Sequence, residues 1–127
     1  MARIHIVEDH LEILEMLVTI LSRYFQVETS VNGREAFALL RQSPPDVAIL
    51  DINVPGIDGL SLCKMLKEDP ELRKIKVMIL TAAYADDTGR TMSQAAGADA
   101  FLTKPVRSQI LLERVNNLLA SSSPSTP

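Results

Sequence analysis

The chain lacks several features that would assign it to a common class of protein. It has one cysteine, Cys63, so an internal disulfide is excluded, which fits a reducing compartment. Its 13 basic residues are outnumbered by 16 acidic ones and are scattered, which argues against a nucleic-acid surface. No apolar stretch approaches the roughly 20 residues that span a bilayer, and the first residues lack a signal-peptide pattern. We therefore expect a cytoplasmic protein that binds neither nucleic acid nor membrane.

The length and composition fit one folded domain. A chain of 127 residues with 46% hydrophobic residues can bury a core of ordinary size. Residues 121–127 are rich in serine and proline and have no apolar side chain to bury, which is typical of a flexible tail or the start of an interdomain linker. We predict a domain over 1–120 and a tail over 121–127. The linker-like composition of the tail slightly favours a piece of a longer protein.

Short apolar or β-rich segments alternate five times with segments of helical periodicity. The predicted strands are 3–8, 26–30, 46–51, 75–80 and 99–103. The predicted helices are 10–24, 33–42, 59–68, 87–96 and 107–119. Three of the strands are almost continuously apolar, as expected when helices cover both sheet faces, whereas the polar second strand is predicted at an edge. The pattern indicates an α/β domain with a parallel sheet and right-handed crossovers.

Apolar residues at helical spacing predict which helix faces lie on the sheet. The first helix would bury Leu11, Leu14, Val18 and Leu21. The last helix would bury Ile110, Leu111, Val115, Leu118 and Leu119. The fourth helix has a thin apolar face of Met92, Ala95 and Ala96. Two polar residues, Asn32 and Asp58, precede the second and third helices as predicted N-caps.

Chemically active side chains follow four of the predicted strands. Glu8 and Asp9 close the first strand, Asp51 the third, Thr81 the fourth and Lys104 the fifth. The carboxyl ends of parallel strands meet at one sheet edge, where open α/β sheets build their sites. Each residue alone has an ordinary structural interpretation, such as a helix cap or a surface lysine. Together, three acids, a hydroxyl and an ammonium can hold a divalent cation and a phosphoryl group.

This order of residues resembles the receiver domain of two-component response regulators over nearly the whole chain. The matching motifs are Glu8-Asp9, Asp51 with Asn-x-Pro-Gly-x-Asp-Gly at 53–59, Thr81-Ala82, Ala-Gly-Ala-Asp at 96–99 and Lys104-Pro105. The resemblance implies a CheY-like, flavodoxin-like (βα)5 doubly wound sandwich with a parallel sheet of order 2-1-3-4-5. It also implies a phosphoacceptor domain that switches a partner-binding or output surface.

The resemblance assigns roles in phosphoryl transfer and switching. Asp51 would accept phosphoryl from a histidine kinase, Thr81 and Lys104 would contact the phosphoryl oxygens, and the peptide bond before Pro105 would be cis. Thr81 and Phe101 would form the switch. Because Phe101 lacks the hydroxyl of the tyrosine found in many relatives, we predict that its ring lies inward even before phosphorylation.

The implied cofactor is Mg²⁺. Its ligands would be Asp9 and Asp51 directly, Glu8 through a water, and the backbone carbonyl of Asn53. Glu8 stands where aspartate is commoner in the family, and its longer side chain still allows water-mediated binding.

The resemblance also implies partners and limits the chemistry. The partner would be a histidine kinase or phosphotransfer protein, and both an output domain after the tail and a phosphorylation-dependent dimer are allowed. The chain would be no enzyme beyond Mg²⁺-dependent self-phosphorylation and self-dephosphorylation at Asp51. The alternative is a receiver-like interaction module that acts without phosphorylation. A phosphatase of the haloacid-dehalogenase type is disfavoured because Asp51 follows the third strand and Asn53 cannot serve as the acid.

Some positions depart from the family pattern or carry no implied role. Thr81 and Lys104 lie 23 positions apart, slightly more than in familiar receivers, and the surplus is predicted between 83 and 90. We therefore do not assign the family's output face to this chain in detail. In the family, that face is formed by the fourth helix, the fifth strand and the fifth helix. We expect His5 to be structural, His10 to lie on the surface near the site, and Cys63 to be buried and inert.

Overall fold

The computed structural model describes residues 1–82 and 87–121 of the chain. In these ranges the strands are β1 (Arg3–Val7), β2 (Gln26–Ser30), β3 (Val47–Leu50), β4 (Lys76–Thr81) and β5 (Ala100–Thr103). The helices are α1 (Leu11–Leu21), α2 (Gly33–Gln42), α3 (Gly59–Glu68), α4 (Asp87–Ala95) and α5 (Ser108–Ala120). The predicted alternation is confirmed. The largest difference is at the end of α1, where a turn over 22–24 replaces the last predicted helical residues.

The strands form one parallel sheet in the order β2-β1-β3-β4-β5, which confirms the predicted doubly wound fold. The polar β2 lies at an edge, as its composition indicated. Val7 of β1 is opposite Leu50 of β3, and Thr81 of β4 is opposite Thr103 of β5. The strand order reverses between β1 and β3, and open sheets form their sites at the carboxyl ends of such strands.

Alternate residues along β3 build two core layers. Ala48 and Leu50 pack on the side of α2 and α3, whereas Val47 and Ile49 pack on the side of α1 and α5. All four are at most 1% exposed. Because both faces of β3 are buried, the strand fixes the backbone on which Asp51 follows.

The predicted faces of α1 and α5 are correct except in their first turns. Leu11 is exposed, and Leu17 is buried in α1 beside Leu14 and Leu21. In α5 the exposed exception is Ile110. The other predicted residues of α5 are buried or pack against the core: Leu111, Val115, Leu118 and Leu119. Leu11 is the first residue of α1, whereas Ile110 directly precedes the fully buried Leu111 and so lies about 100° round the helix from the buried face.

The predicted face of α4 is wrong. Its buried residues are Gly89 and Ser93, whereas Ala95 is exposed and Met92 is half-buried. Ala96 packs partly against the core just after the helix ends. Small and polar residues of α4 therefore face the core, and the helix buries little apolar side chain.

Both predicted N-caps are confirmed. The Asn32 side chain accepts a hydrogen bond from the backbone N–H of Glu35 at 2.8 Å, and that of Asp58 accepts one from Ser61 at 2.9 Å. These bonds satisfy N–H groups that a helix start leaves unpaired. The second cap also fixes the end of the β3–α3 loop, which begins at Asp51.

His5 is buried in β1 and has a structural role. Its Nε2 lies 2.6 Å from the Ser30 hydroxyl, while its Nδ1 has no hydrogen-bond partner and lies 3.9 Å from a Glu28 carboxylate oxygen. Burial lowers the pKa of His5 below its ordinary value, Arg3 adds to the shift, and Glu28 and Glu35 oppose it. The neutral ring is therefore the favoured form in the folded chain.

Within 1–82 and 87–121, the helices are all too short or too polar to cross a bilayer. Residues 83–86, which include part of the predicted surplus before α4, lie outside the described residues. The same holds for 122–127, which are most of the predicted tail.

Candidate functional site

The ends of β1 and β3 lie side by side because the two strands pair in register. The backbone N–H of Asp51 donates to the carbonyl of Val7 at 3.0 Å, and that of Glu8 donates to the carbonyl of Ser30 at 3.1 Å. These bonds continue the sheet one residue past its strands and bring Glu8 and Asp51 together. The two residues are 2% and 8% exposed, so both carboxylates are largely shielded from water.

Glu8, Asp9 and Asp51 form the acidic cluster that the sequence predicted. One carboxylate oxygen from each residue lies within 4.8 Å of the other two. Asp9 is exposed, so the cluster opens to solvent on its side. The Oδ1 atom of Asp51 is buried and has no hydrogen-bond partner, which costs free energy unless a ligand supplies the missing interaction.

Lys104 reaches the acidic cluster from the end of β5. Its ammonium donates to Glu8 Oε1 at 2.5 Å and lies 3.5 Å from Asp51 Oδ2. The backbone N–H of Lys104 donates to the carbonyl of Thr81 at 3.0 Å, and the Lys104–Pro105 peptide bond is cis, as the resemblance implied. One ammonium thus faces two buried carboxylates.

Glu8 and Asp51 differ in how their oxygens are satisfied. Burial raises the pKa of Glu8, and the Asp51 charge adds to this shift, while hydrogen bonds from Lys104 and from the backbone N–H of His10 lower it. The His10 bond reaches Glu8 Oε2 at 3.1 Å, so both Glu8 oxygens have donors. Asp51 is therefore the buried acid with an unpaired oxygen.

The two predicted switch residues lie on neighbouring strands. Thr81 is 1% exposed at the end of β4. Phe101 of β5 is opposite Ile79 of β4 and packs in the core layer on the side of α2 and α3. Phe101 as a whole residue is 7% exposed, which is compatible with the predicted inward position. Their roles in switching remain predictions.

The remaining predicted positions divide between loop, surface and core. Asn53 is exposed in the loop after β3, and its role as a carbonyl ligand remains a prediction. His10 is exposed, as expected. Cys63 is buried, its thiol donates to the carbonyl of Ala96 at 3.4 Å, and burial raises its pKa to about 12. The thiol therefore stays protonated, as an inert cysteine should.

The acidic cluster fits a hard divalent cation. Such ions prefer carboxylate and carbonyl oxygens as ligands, and Glu8, Asp9 and Asp51 present three carboxylates at one sheet edge. The unpaired Asp51 Oδ1 is a buried acceptor that a cation would satisfy. These three residues could therefore hold a metal ion.

Sequence reasoning missed two features around the site. The guanidinium carbon of Arg90 lies 5.4 Å from the centroid of the Phe101 ring. No motif marks Arg90, and only the correct phase of α4 would have placed it beside β5. The second feature is an apolar cavity of about 340 Å³ that Lys104 helps to line.

This apolar cavity lies between α1 and the segment that follows β5. Ile13, Met16 and Leu17 line it from α1, and Pro105 and Val106 line it from the other side. Met16 is 43% exposed, so the cavity continues into an apolar patch on the surface of α1. The apolar opening offers a surface against which an apolar side chain of another protein could pack.

Known proteins are similar to this chain in both sequence and fold. The response regulator receiver domain family matches residues 4–116. Response regulator PleD of Caulobacter vibrioides is 38% identical over 121 residues, which cover 92% of this chain and 26% of PleD. Protein PilH of Pseudomonas aeruginosa is 37% identical over 121 residues, which cover 94% of this chain and 99% of PilH. The chain therefore spans about a quarter of PleD and nearly the whole of PilH.

A solved structure agrees with these relatives. The signal receiver domain of a signal transduction histidine kinase from Syntrophus aciditrophicus has a TM-score of 0.88 and 38% sequence identity, over 100% of this chain and 98% of that one. The family match covers most of the chain, and the fold and strand order agree with it. The chain therefore belongs to the response regulator receiver domain family of two-component signalling.

Proposed function

We propose that the chain is a phosphoacceptor switch in which Asp51 accepts a phosphoryl group from a histidine kinase or phosphotransfer protein. The observation that carries this proposal is the convergence of three carboxylates within 4.8 Å, beside an ammonium 3.5 Å from Asp51. Phosphoryl transfer needs an ionised nucleophile and positive charge at the phosphoryl oxygens, and little else. Incubation with acetyl phosphate and Mg²⁺, followed by intact-mass measurement, tests the proposal.

The proposed transfer is a displacement at phosphorus. A carboxylate oxygen of Asp51 forms a bond to phosphorus while the bond to the donor's imidazole nitrogen breaks, and the electron pair of that bond stays with the imidazole. Lys104 and Thr81 would donate hydrogen bonds to the phosphoryl oxygens. Attack by water would later release phosphate and restore the carboxylate. Self-phosphorylation and self-dephosphorylation are the only chemistry proposed.

Mg²⁺ is the proposed cofactor. Glu8, Asp9 and Asp51 would hold it, together with the backbone carbonyl of Asn53. When bound, Mg²⁺ supplies positive charge that offsets the repulsion between clustered carboxylates and the incoming phosphoryl oxygens.

Removing the Lys104 ammonium should leave Mg²⁺ binding intact or make it tighter. In Lys104→Ala, the positive charge beside Glu8 and Asp51 is lost, so the cation no longer competes with an ammonium for the same oxygens. A charge at this distance is worth about 1 kcal/mol in water and more where the groups are shielded from it, so we expect affinity to rise by about fivefold or more. Magnesium titration followed by NMR measures the change.

The matched control for this experiment is Lys74→Ala. Lys74 is exposed and lies just before β4, at the opposite edge of the sheet from the acidic cluster. Its removal should leave Mg²⁺ affinity unchanged. Loss of Mg²⁺ binding in Lys104→Ala alone would mean that Lys104 organises the metal ligands rather than competing with the metal.

We propose that the phosphodonor docks on the apolar patch of α1. A donor must bring its histidine next to Asp51, so its contact surface must border the acidic cluster. The apolar cavity meets this condition because Lys104 lines it and also contacts Asp51. The exposed α1 residue Met16 extends the apolar surface, which fits a partner helix with an apolar face.

Met16→Asp should separate donation by a protein from donation by a small molecule. A charge on the docking surface should slow phosphotransfer from the cognate kinase about tenfold or more, while acetyl phosphate should label the variant at the wild-type rate. The rate of phosphotransfer from the kinase is measured by labelling the source organism's histidine kinases with radiolabelled ATP and mixing each with the chain. Tyr24→Asp, which alters an exposed aromatic after the end of α1, is the control. Equal transfer to both variants would refute the docking surface.

A further inference from the structure

The Phe101 ring is covered by a cation rather than by apolar side chains alone. Phe101 is 7% exposed and packs in the core layer on the side of α2 and α3. The Arg90 guanidinium carbon lies 5.4 Å from the ring centroid, within the distance at which a cation is attracted to an aromatic face. Arg90 is exposed on α4, so its stem crosses from the helix surface onto the ring.

The way α4 packs makes this contact important for the position of the helix. The buried residues of α4 are Gly89 and Ser93, and the Ser93 hydroxyl is buried without a hydrogen-bond partner. A glycine and an unsatisfied serine contribute little apolar contact or hydrogen bonding. The contact between Arg90 and Phe101 therefore supplies part of what holds α4 against β5.

Phe101 has no other polar means of fixing its ring. A phenyl ring cannot donate a hydrogen bond in either position, so packing and the guanidinium decide where it lies. A cation over an aromatic ring at a partly exposed site shifts such an equilibrium by about two- to fivefold. Arg90 can therefore bias the ring toward its inward position.

We propose that Arg90 is a positioning residue for the switch: its guanidinium holds the Phe101 ring inward and couples the position of α4 to that of the ring. The proposal rests on the proposed phosphoacceptor function, because Phe101 is the predicted switch residue of a phosphorylated receiver. The contact itself is a property of the unphosphorylated chain. The two ideas can therefore fail separately.

The experiment is ¹⁹F NMR of the full chain labelled with fluorophenylalanine. The chain has three phenylalanines, and Phe101→Leu assigns the resonance of interest. Arg90→Gln, which keeps a long polar side chain but removes the charge, should lower the ratio of inward to outward ring by about two- to fivefold. Arg90→Lys restores a cation and should recover part of the inward population.

Two matched controls separate positioning from a general structural effect. Arg114→Gln removes an exposed arginine of α5 that lines the same cavity as Arg90 and Phe101, and it should leave the Phe101 resonance unmoved. Arg41→Gln removes the guanidinium that lies 5.6 Å from the Phe37 ring, and it should move the Phe37 resonance without moving that of Phe101. These controls test whether the effect depends on a charge over that particular ring.

Addition of beryllofluoride, which mimics a phosphoryl group, completes the test. The ring of Arg90→Gln starts less inward, so its resonance should move further on activation than in the wild type. An unmoved Phe101 resonance in Arg90→Gln, or an equal shift in Arg114→Gln, would overturn the proposal. If the variant shifts as expected but beryllofluoride changes no spectrum, the phosphoacceptor function fails while the role of Arg90 stands.

Discussion

Asp51→Asn should abolish phosphoryl acceptance. With acetyl phosphate and Mg²⁺, the wild-type chain should gain the mass of one phosphoryl group, and the variant should gain none. The amide lacks the ionised oxygen that bonds to phosphorus, and it removes a carboxylate from the acidic cluster in which three acids converge within 4.8 Å. Intact-mass spectrometry under native conditions measures both forms, and a chelator should suppress labelling of the wild type.

Asp58→Asn is the matched control for this substitution. Asp58 lies in the same β3–α3 loop, caps α3 through the Ser61 N–H at 2.9 Å, and is outside the acidic cluster. Asparagine is also a good N-cap, so the fold should persist and labelling should remain at the wild-type level. Equal labelling of Asp51→Asn would place the acceptor elsewhere. A wild-type chain that takes no phosphoryl from any donor would favour the interaction module that acts without phosphorylation.

Much of the candidate site could be predicted from the sequence because burial and strand ends leave strong patterns. The run Val47–Leu50 has no polar residue, and a strand so apolar must be covered on both faces. Asp51 then marks the point where the strand leaves the core. The same reasoning placed Glu8 after β1, and parallel pairing in register brings such ends together without any further information.

Features that depend on side-chain contacts could not be predicted in the same way. The first-turn residues Leu11 and Ile110 fit the apolar periodicity, yet both are exposed, because periodicity alone does not fix which edge of an apolar stripe faces the core. The face of α4 was wrong because Gly89 and Ser93 are buried and neither is apolar enough to mark a face. The Arg90 contact with Phe101 depends on that phase, so it was missed as well.

The pairing of charges within the site could not be predicted from the sequence either. The sequence placed Glu8 and Lys104 at one edge, but not the hydrogen bond that joins them or the absence of a partner at Asp51 Oδ1. These contacts depend on side-chain rotamers rather than on spacing. They distinguish a carboxylate that is already satisfied from one that still has an unpaired oxygen.

Gly59→Ala should destabilise the domain and disable the site together. Gly59 is the first residue of α3, and its N–H donates to the carbonyl of Ile52 at 2.9 Å. A Cβ at this position would lie 2.1 Å from the carbonyl oxygen of Asp51. The Cβ is held rigidly by the backbone of α3 and the atom that it meets is backbone, so either α3 or the end of β3 must move. We expect a loss of about 3 kcal/mol or more in the free energy of unfolding, the upper range for overpacking, measured by urea denaturation.

Gly33→Ala is the control that separates lost stability from lost phosphoryl labelling. A Cβ on Gly33 would lie 1.8 Å from the carbonyl oxygen of Ile57, a comparable clash at the far side of the β3–α3 loop. Both variants should therefore lose stability, but only Gly59→Ala displaces the backbone that carries Asp51. Labelling by acetyl phosphate, normalised to the folded fraction, should fall sharply in Gly59→Ala and remain substantial in Gly33→Ala. Wild-type stability and labelling in Gly59→Ala would mean that α3 does not approach Asp51 this closely. Equal loss of labelling in both variants would mean that the whole loop, rather than the contact at Gly59, holds the acceptor in place.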